Sequence, residues 1–358
     1  MKIGILTYHR SHNYGALLQA IALRKVLEDM GHQATFIDYW PAYHRHMYAL
    51  FSFSAMMEKR RIRPKWRYLK ECLTKYSIRK ERRQSFDDFI SRYIAPYLSP
   101  MEGEYDVIVH GSDQIWRKQP EMHTYNPVYF GKNEFRARRK ISYAASMGVL
   151  PEEQCDMIIL KDYLQNLDKI SVRESDLKRL VESLGYPCEQ HLDPTLLLTG
   201  EEWTRLMDIQ TSKSKKRYVL FYHLMPNSFD INGIEAFAEA RGLELRTLHS
   251  KAAKRNSERD ITTADPQEFL SLIYHADFVF TSSFHGLAFS LLFGKQFYAA
   301  FKENSGRAES LLAQLGISER LLQPMSMIPA DDMPIDYSAL TDRMKELRSS
   351  SIQYLQDL

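Results

Sequence analysis

Lys2-Ile3-Gly4-Ile5-Leu6-Thr7-Tyr8-His9-Arg10-Ser11-His12-Asn13-Tyr14-Gly15-Ala16-Leu17-Leu18-Gln19 opens the chain and sets its fold. Ile3 to Tyr8 reads as a short apolar strand. Beyond it Ala16, Ala20, Leu23, Leu27 and Met30 fall on one helical stripe, and Gly31 stands where a helix C-cap would. Ala34 to Tyr39 supplies the next strand, so the first forty residues spell β-α-β. The loop His9 to Gly15 then lies at the carboxyl end of a parallel strand, where open α/β sheets bind ligands.

The same rhythm recurs along the chain. Tyr105 to His110, Ile141 to Ala145 and Lys169 to Val172 read as strands, each followed by small or charged residues. A second series starts near Arg217. It has strands at 218–223, 243–248, 278–281 and 296–301, and helices at 231–241 and 286–293. Asp265-Pro266-Gln267-Glu268 marks a helix start, with an N-cap, proline at the first helical position and Glu at N3. Leu192 to Gly200 reads as the connection between halves. The fold class is therefore α/β, with two Rossmann-like, doubly wound domains facing across a cleft. Residues 1–200 form the first, on the acceptor side, with a basic helical insertion at 43–100. Residues 201–335 form the second, and 336–358 a final helix that packs back on the first.

Composition narrows the class. The 358 residues are 44% hydrophobic and 26% charged, typical of a soluble globular protein. The first residues are too short an apolar run for a signal peptide, and no run is long enough to cross a bilayer, which points to the cytoplasm. Cys72, Cys155 and Cys188 are odd in number and widely spaced, against both a disulfide framework and a zinc site. The net charge of +3 is uneven: Glu58 to Arg83 holds twelve Lys/Arg against three Glu. An apolar stretch beside it, residues 46–57, suits docking on an anionic membrane surface. No nucleic-acid-binding module accompanies the charge.

Four segments at strand ends carry the chemistry. Asn13-Tyr14-Gly15 precedes a helix whose free N–H groups favour an anion or a sugar hydroxyl; without a G-x-G-x-x-G pattern, no dinucleotide site is expected, and Asp38 reads as a cap. In Gly111-Ser112-Asp113-Gln114-Ile115-Trp116, Asp113 is the candidate base for acceptor hydroxyls, against the plainer reading of a helix cap. Ser112 and Gln114 add hydrogen bonds, and Trp116 offers a face for a sugar ring. In Ser171-Val172-Arg173-Glu174, Arg173 suits a carboxylate or phosphate if it faces the cleft, and a surface salt bridge if not. In Thr281-Ser282-Ser283-Phe284-His285-Gly286, hydroxyls, a glycine and a helix N-terminus converge as a phosphate requires, and His285 adds a donor able to carry charge.

Those four segments, spread over residues 1 to 305, resemble the polysaccharide pyruvyl transferases, whose fold is similar to the two-domain glycosyltransferases called GT-B. The resemblance implies transfer of a pyruvyl group from phosphoenolpyruvate to a hexose of a cell-surface polysaccharide or its lipid-linked precursor. It implies Arg173 in the cleft, with Asp113 and His285 as base and acid, and no metal or bound cofactor. Several family members carry Arg two positions before the His, where this chain has Ser283. Arg307, which equally could cap the next helix, and more weakly Lys302, are the candidates to replace that charge. Two other readings remain: a GT-B glycosyltransferase using a nucleotide sugar, and a carbohydrate-binding protein that has kept the fold without catalysis.

Overall fold

The computed structural model describes residues 1–47, 66, 70, 72–120, 122–151, 153–212, 216–251, 257, 259–329 and 333–358. β1 (Lys2–Leu6), β2 (Gln33–Ile37), β3 (Leu98–Ser99), β4 (Glu104–His110) and β5 (Arg136–Ser142) form one parallel sheet, ordered β3-β2-β1-β4-β5. β6 (Ser171–Val172) and β7 (Glu189–Gln190) pair beside it, joined to it by parallel bridges at Ile141–Lys169 and Ala145–Val172. β8 (Tyr218–His223), β9 (Glu244–His249), β10 (Asp260–Ile261), β11 (Phe278–Thr281) and β12 (Gln296–Ala299) form the second sheet, ordered β10-β9-β8-β11-β12.

Both sheets are wound alike. In each, the strand order reverses at the first strand, beside the fourth. Loops leaving those two strands diverge to opposite faces and open a crevice at the carboxyl ends. In the first domain the loops at that point are 9–13 and 111–115. Residues 224–230 and Ser282 to Gly286 stand at the same point of the second.

The largest difference from the sequence reading is β5, which begins at Arg136 rather than Ile141. Arg136 and Arg138 are exposed, Arg139 and Lys140 are half-buried, and the strand is bonded to β4 along its length. Hydrogen bonding carries this charged half of the strand, so an apolar-run criterion misses it. The short strands β3, β7 and β10, of two residues each, were equally invisible.

One apolar cluster runs through both domains, joining Leu17, Leu18 and Ile21 of the first helix (Tyr14–Asp29) to Tyr222, Phe269 and Leu287 of the second. Tyr14 is its keystone. Its ring stacks on Phe269 at 4.6 Å and 3°, and its hydroxyl donates to the Ala264 carbonyl at 2.9 Å. Arg82, on the helix Tyr76–Tyr93, donates to Tyr14 Oη at 3.0 Å, to the Thr262 carbonyl at 3.1 Å and to the Ser250 carbonyl at 2.9 Å. The basic stretch read as a membrane surface therefore ends in a buried bracket between domains, and Arg82 is not part of any docking face. Of the apolar and basic stretch, residues 48–65, 67–69 and 71 lie outside the described residues. Among the described residues, no helix is long and apolar enough to cross a membrane. The last helix, Tyr337–Gln356, crosses onto the first domain. Tyr354 donates to the Ser142 carbonyl at 2.8 Å, and Arg348 donates to the Leu196 carbonyl at 2.9 Å.

Replacing Arg82 with Met keeps its length but strands these acceptors in a buried interface. Hydrogen bonds to a charged group contribute roughly 1.5–3 kcal/mol each, so a stability loss of about 2 kcal/mol or more is expected, read from the denaturant midpoint. Acid sensitivity has a separate source. Burial pushes His110 and His191 down to about 4, so each stays neutral in the fold but protonates in the unfolded chain. The unfolded state then binds more protons below about pH 6.5, and stability should fall as pH drops from there towards 4. The expected slope is about 1.4 kcal/mol per pH unit for each histidine, and replacing His191 with Asn should reduce it.

Candidate active site

A fully buried carboxylate sits where the domains meet. Asp193 follows β7, and its Oδ1 caps the next turn, accepting from Thr195 N at 2.9 Å and Thr195 Oγ1 at 2.7 Å. Its Oδ2 forms an ion pair with Arg173 Nη1, accepts from Ser112 Oγ at 3.4 Å and faces His285 Nε2 at 3.6 Å. Burial alone would raise the Asp193 pKa. Arg173 and His285 outweigh it and hold the group ionised, well below the usual carboxylate range.

Arg173 and His285 thus converge on one partner from opposite domains. Arg173 leaves β6 at its carboxyl end. With Nη1 on Asp193, its Nε and Nη2 have no partner among the described residues. Those two atoms form the side-on fork of the guanidinium. Arg10 shows the geometry when filled, gripping Asp38 through Nε and Nη2, each at 2.7 Å. Asp38 is therefore an ion-pair partner and not the cap the sequence suggested.

Arg307 approaches from the second domain, in the first turn of the helix Gly306–Leu315. Both guanidiniums approach the Phe284 ring, Arg173 at 4.8 Å and Arg307 at 5.6 Å from its centroid. Burial and the neighbouring Arg173 charge lower the Arg307 pKa to about 10. Among the described residues its Nε also lacks a partner, as do Glu174 Oε2 and Asn304 Oδ1. Leaving a buried polar atom unpaired costs about 1–3 kcal/mol. The buried donors left on Arg173 and Arg307 suit an anionic group. Lys302, by contrast, is exposed.

Glycine makes the approach of the domains possible. A Cβ on Gly15 would lie 1.9 Å from His285 Nδ1, so the imidazole rests directly on the backbone of the first helix. A Cβ on Gly286 would lie 2.2 Å from Thr281 Oγ1, at the tight turn that aims His285. Ser283 caps that helix, accepting from Gly286 N at 3.4 Å, and the buried Ser282 accepts from Leu224 N at 3.0 Å and Met225 N at 2.9 Å. Both hydroxyls hold the loop in shape.

Asp113 lies across the cleft at the end of β4, with a left-handed φ of 64°. Among the described residues its carboxylate accepts only from the adjacent Gln114 N, at 2.8 Å. Its charge is felt by Tyr8, by Arg307 and by His44, whose own pKa burial lowers to about 4. Gln114 is partly exposed and stands against Gly148. Ser112 is buried, donating to the Ala144 carbonyl at 2.8 Å.

One expected substrate contact is corrected, and two others have structural roles of their own. Trp116 offers no face to a sugar: it is wholly buried, stacked on Phe130 at 4.8 Å, with Nε1 donating to the Tyr129 carbonyl at 2.9 Å. Tyr14 is consumed by the domain interface. Asn13 is the N-cap of the first helix, its side chain accepting from Ala16 N at 3.2 Å. Sequence reasoning missed Asp193 and the buried Glu174. Asp193-Pro194-Thr195 carries only a cap signature, which the structure also fulfils.

Replacing Gly15 with Ala forces either His285 or the first helix aside. Overpacking of this kind costs roughly 1–3 kcal/mol, and a lower melting temperature together with weakened anion binding is expected.

The described geometry can be set beside known proteins. No curated protein matches the chain. Among solved structures, a UDP-GlcNAc 2-epimerase from Methanocaldococcus jannaschii covers 96% of this chain and 92% of its own, at 9% identity and a TM-score of 0.45. A UDP-GlcNAc 2-epimerase from Neisseria meningitidis, bound to UDP-GlcNAc, covers 99% and 93%, at 8% identity and 0.44. A heptosyltransferase from E. coli with ADP covers 97% and 100%, at 12% identity and 0.41. Likeness at that level carries no argument, and the fold rests on the two sheets themselves. The family model for polysaccharide pyruvyl transferases matches residues 13–300, which include Asp113, Arg173, Asp193 and His285, and the chain belongs to that family.

Proposed function

We propose that the chain transfers a pyruvyl group from phosphoenolpyruvate to paired hydroxyls of a hexose, in a cell-surface polysaccharide or its lipid-linked precursor. The observation that carries this reading is the empty side-on fork of Arg173, anchored behind by Asp193 and flanked by Arg307. Phosphoenolpyruvate presents a carboxylate and a phosphate on adjacent oxygen-bearing positions. One fork grips the carboxylate, and Arg307 supports the phosphate in place of the charge that Ser283 lacks. The buried Phe284 ring, against which both guanidiniums lie, keeps water away from them, which strengthens both contacts.

Asp113 accepts the proton of the attacking sugar hydroxyl. It is ordered by its left-handed backbone and by Gln114, and no cation among the described residues pairs with it. His285, held between Asp193 and Gly15, fixes Asp193 and through it the Arg173 fork. Binding both reactants in one cleft converts a bimolecular addition into an oriented one, an effect of up to roughly 7–11 kcal/mol on the barrier.

Thermal melting tests the donor. Phosphoenolpyruvate should raise the melting temperature, by the equivalent of about 2.7 kcal/mol at a hundredfold excess over Kd. A shift with UDP or CMP but none with phosphoenolpyruvate would point instead to nucleotide-sugar chemistry. Replacing Arg173 with Lys removes the planar fork and should weaken donor binding by about tenfold or more. Replacing Asp113 with Asn should leave that binding unchanged and slow phosphate release by about 10²–10⁴-fold in the presence of the acceptor.

A further inference from the structure

We infer that Glu174 is the acid that protonates the methylene carbon of the donor, an assignment that rests on the phosphoenolpyruvate reading. The reaction needs one proton delivered to carbon before the adjacent carbon becomes electrophilic. The family resemblance suggested His285 for this task. In the structure, however, His285 Nε2 is buried against Asp193 at 3.6 Å and the ring is packed on Gly15, which places the imidazole behind Arg173 as a support of its anchor. Glu174 is differently placed. It is 3% exposed and follows Arg173 directly, Oε1 accepts from Ser146 Oγ, and Oε2 is buried without a partner among the described residues, within the field of Arg173 and Arg307.

The charged and titratable groups around it are Arg173 and Asp176 from its own segment and Arg307 from the second domain. Burial raises its pKa in spite of both arginines. A bound trianion would neutralise those cations and raise it further, so donor binding itself loads the acid with a proton. A carboxyl kept neutral in this way can donate at neutral pH.

The proton balance closes without another reactant. The Glu174 proton passes to the methylene carbon as the carbon–carbon π pair forms the new C–H bond. The resulting cation is captured by an acceptor oxygen, whose proton passes to Asp113. Phosphate departs with the electron pair of its C–O bond, and the second hydroxyl closes the ketal. Of the two hydroxyl protons, one leaves on the phosphate and the other restores Glu174.

Calorimetric titration with phosphoenolpyruvate, in buffers of different ionisation enthalpy, counts the protons taken up on binding. Wild type should take up about one more proton per site than Glu174→Gln near neutral pH, because the amide already mimics the neutral acid. The variant should bind the donor at least as tightly, yet release phosphate about 10²-fold more slowly, or worse, with a hexose panel. Equal uptake by the two proteins overturns the assignment and leaves the donor reading standing. No binding by wild type overturns both. Glu174→Asp keeps an acid and covers the case in which the amide variant fails to fold: it should retain the extra proton uptake, and its loss would contradict the inference.

Discussion

The ion pair between Asp193 and Arg173 is the constraint on which the site depends. Two guanidiniums and an imidazole are gathered in a largely dry junction, and that much positive charge is costly to bury without compensation. Asp193 supplies it, with no side-chain exposure, and its remaining oxygen is satisfied by Thr195. Because it occupies only one end of the Arg173 guanidinium, it fixes the other end in space and leaves it unfilled. A charge that stabilises the junction therefore also orients the group that is to bind the donor.

The same junction explains why the domains are held so closely. His285 can reach Asp193 only because Gly15 has no side chain, and Gly15 is aligned by a helix whose first residue, Tyr14, is stacked against Phe269 of the opposite domain. Arg82 ties that tyrosine to two carbonyls of the second domain. Asn13-Tyr14-Gly15 thus works as a unit of three distinct parts: a helix cap, an interdomain anchor and a place of close approach. None of the three needs to touch substrate for the segment to matter to the chemistry.

The β-α rhythm was legible because buried parallel strands are apolar on both faces, and the loop positions follow from it. Arg173, His285 and Asp113 were legible because they stand at strand ends beside small or hydroxylated residues. Trp116 was misread because an aromatic ring on a loop looks the same whether it faces solvent or, as here, the underside formed by Phe130. Asp193 was hidden because its sequence context is fully explained by a cap, so nothing signalled a second partner twenty residues away. Glu174 was passed over for a related reason: burial and an unpaired oxygen are properties of the assembled junction, not of an Arg-Glu dipeptide. The Arg136–Lys140 half of β5 shows the limit of apolar periodicity, since hydrogen bonding to β4 outweighs its polar composition.

A crystal structure with phosphoenolpyruvate bound tests the central claim most directly. The account predicts an anionic group of the ligand bonded side-on to Arg173 Nε and Nη2 while Nη1 remains on Asp193, with His285 still seated on Gly15. A ligand held elsewhere, or an Arg173 that has left Asp193 and turned from the cleft, would contradict it.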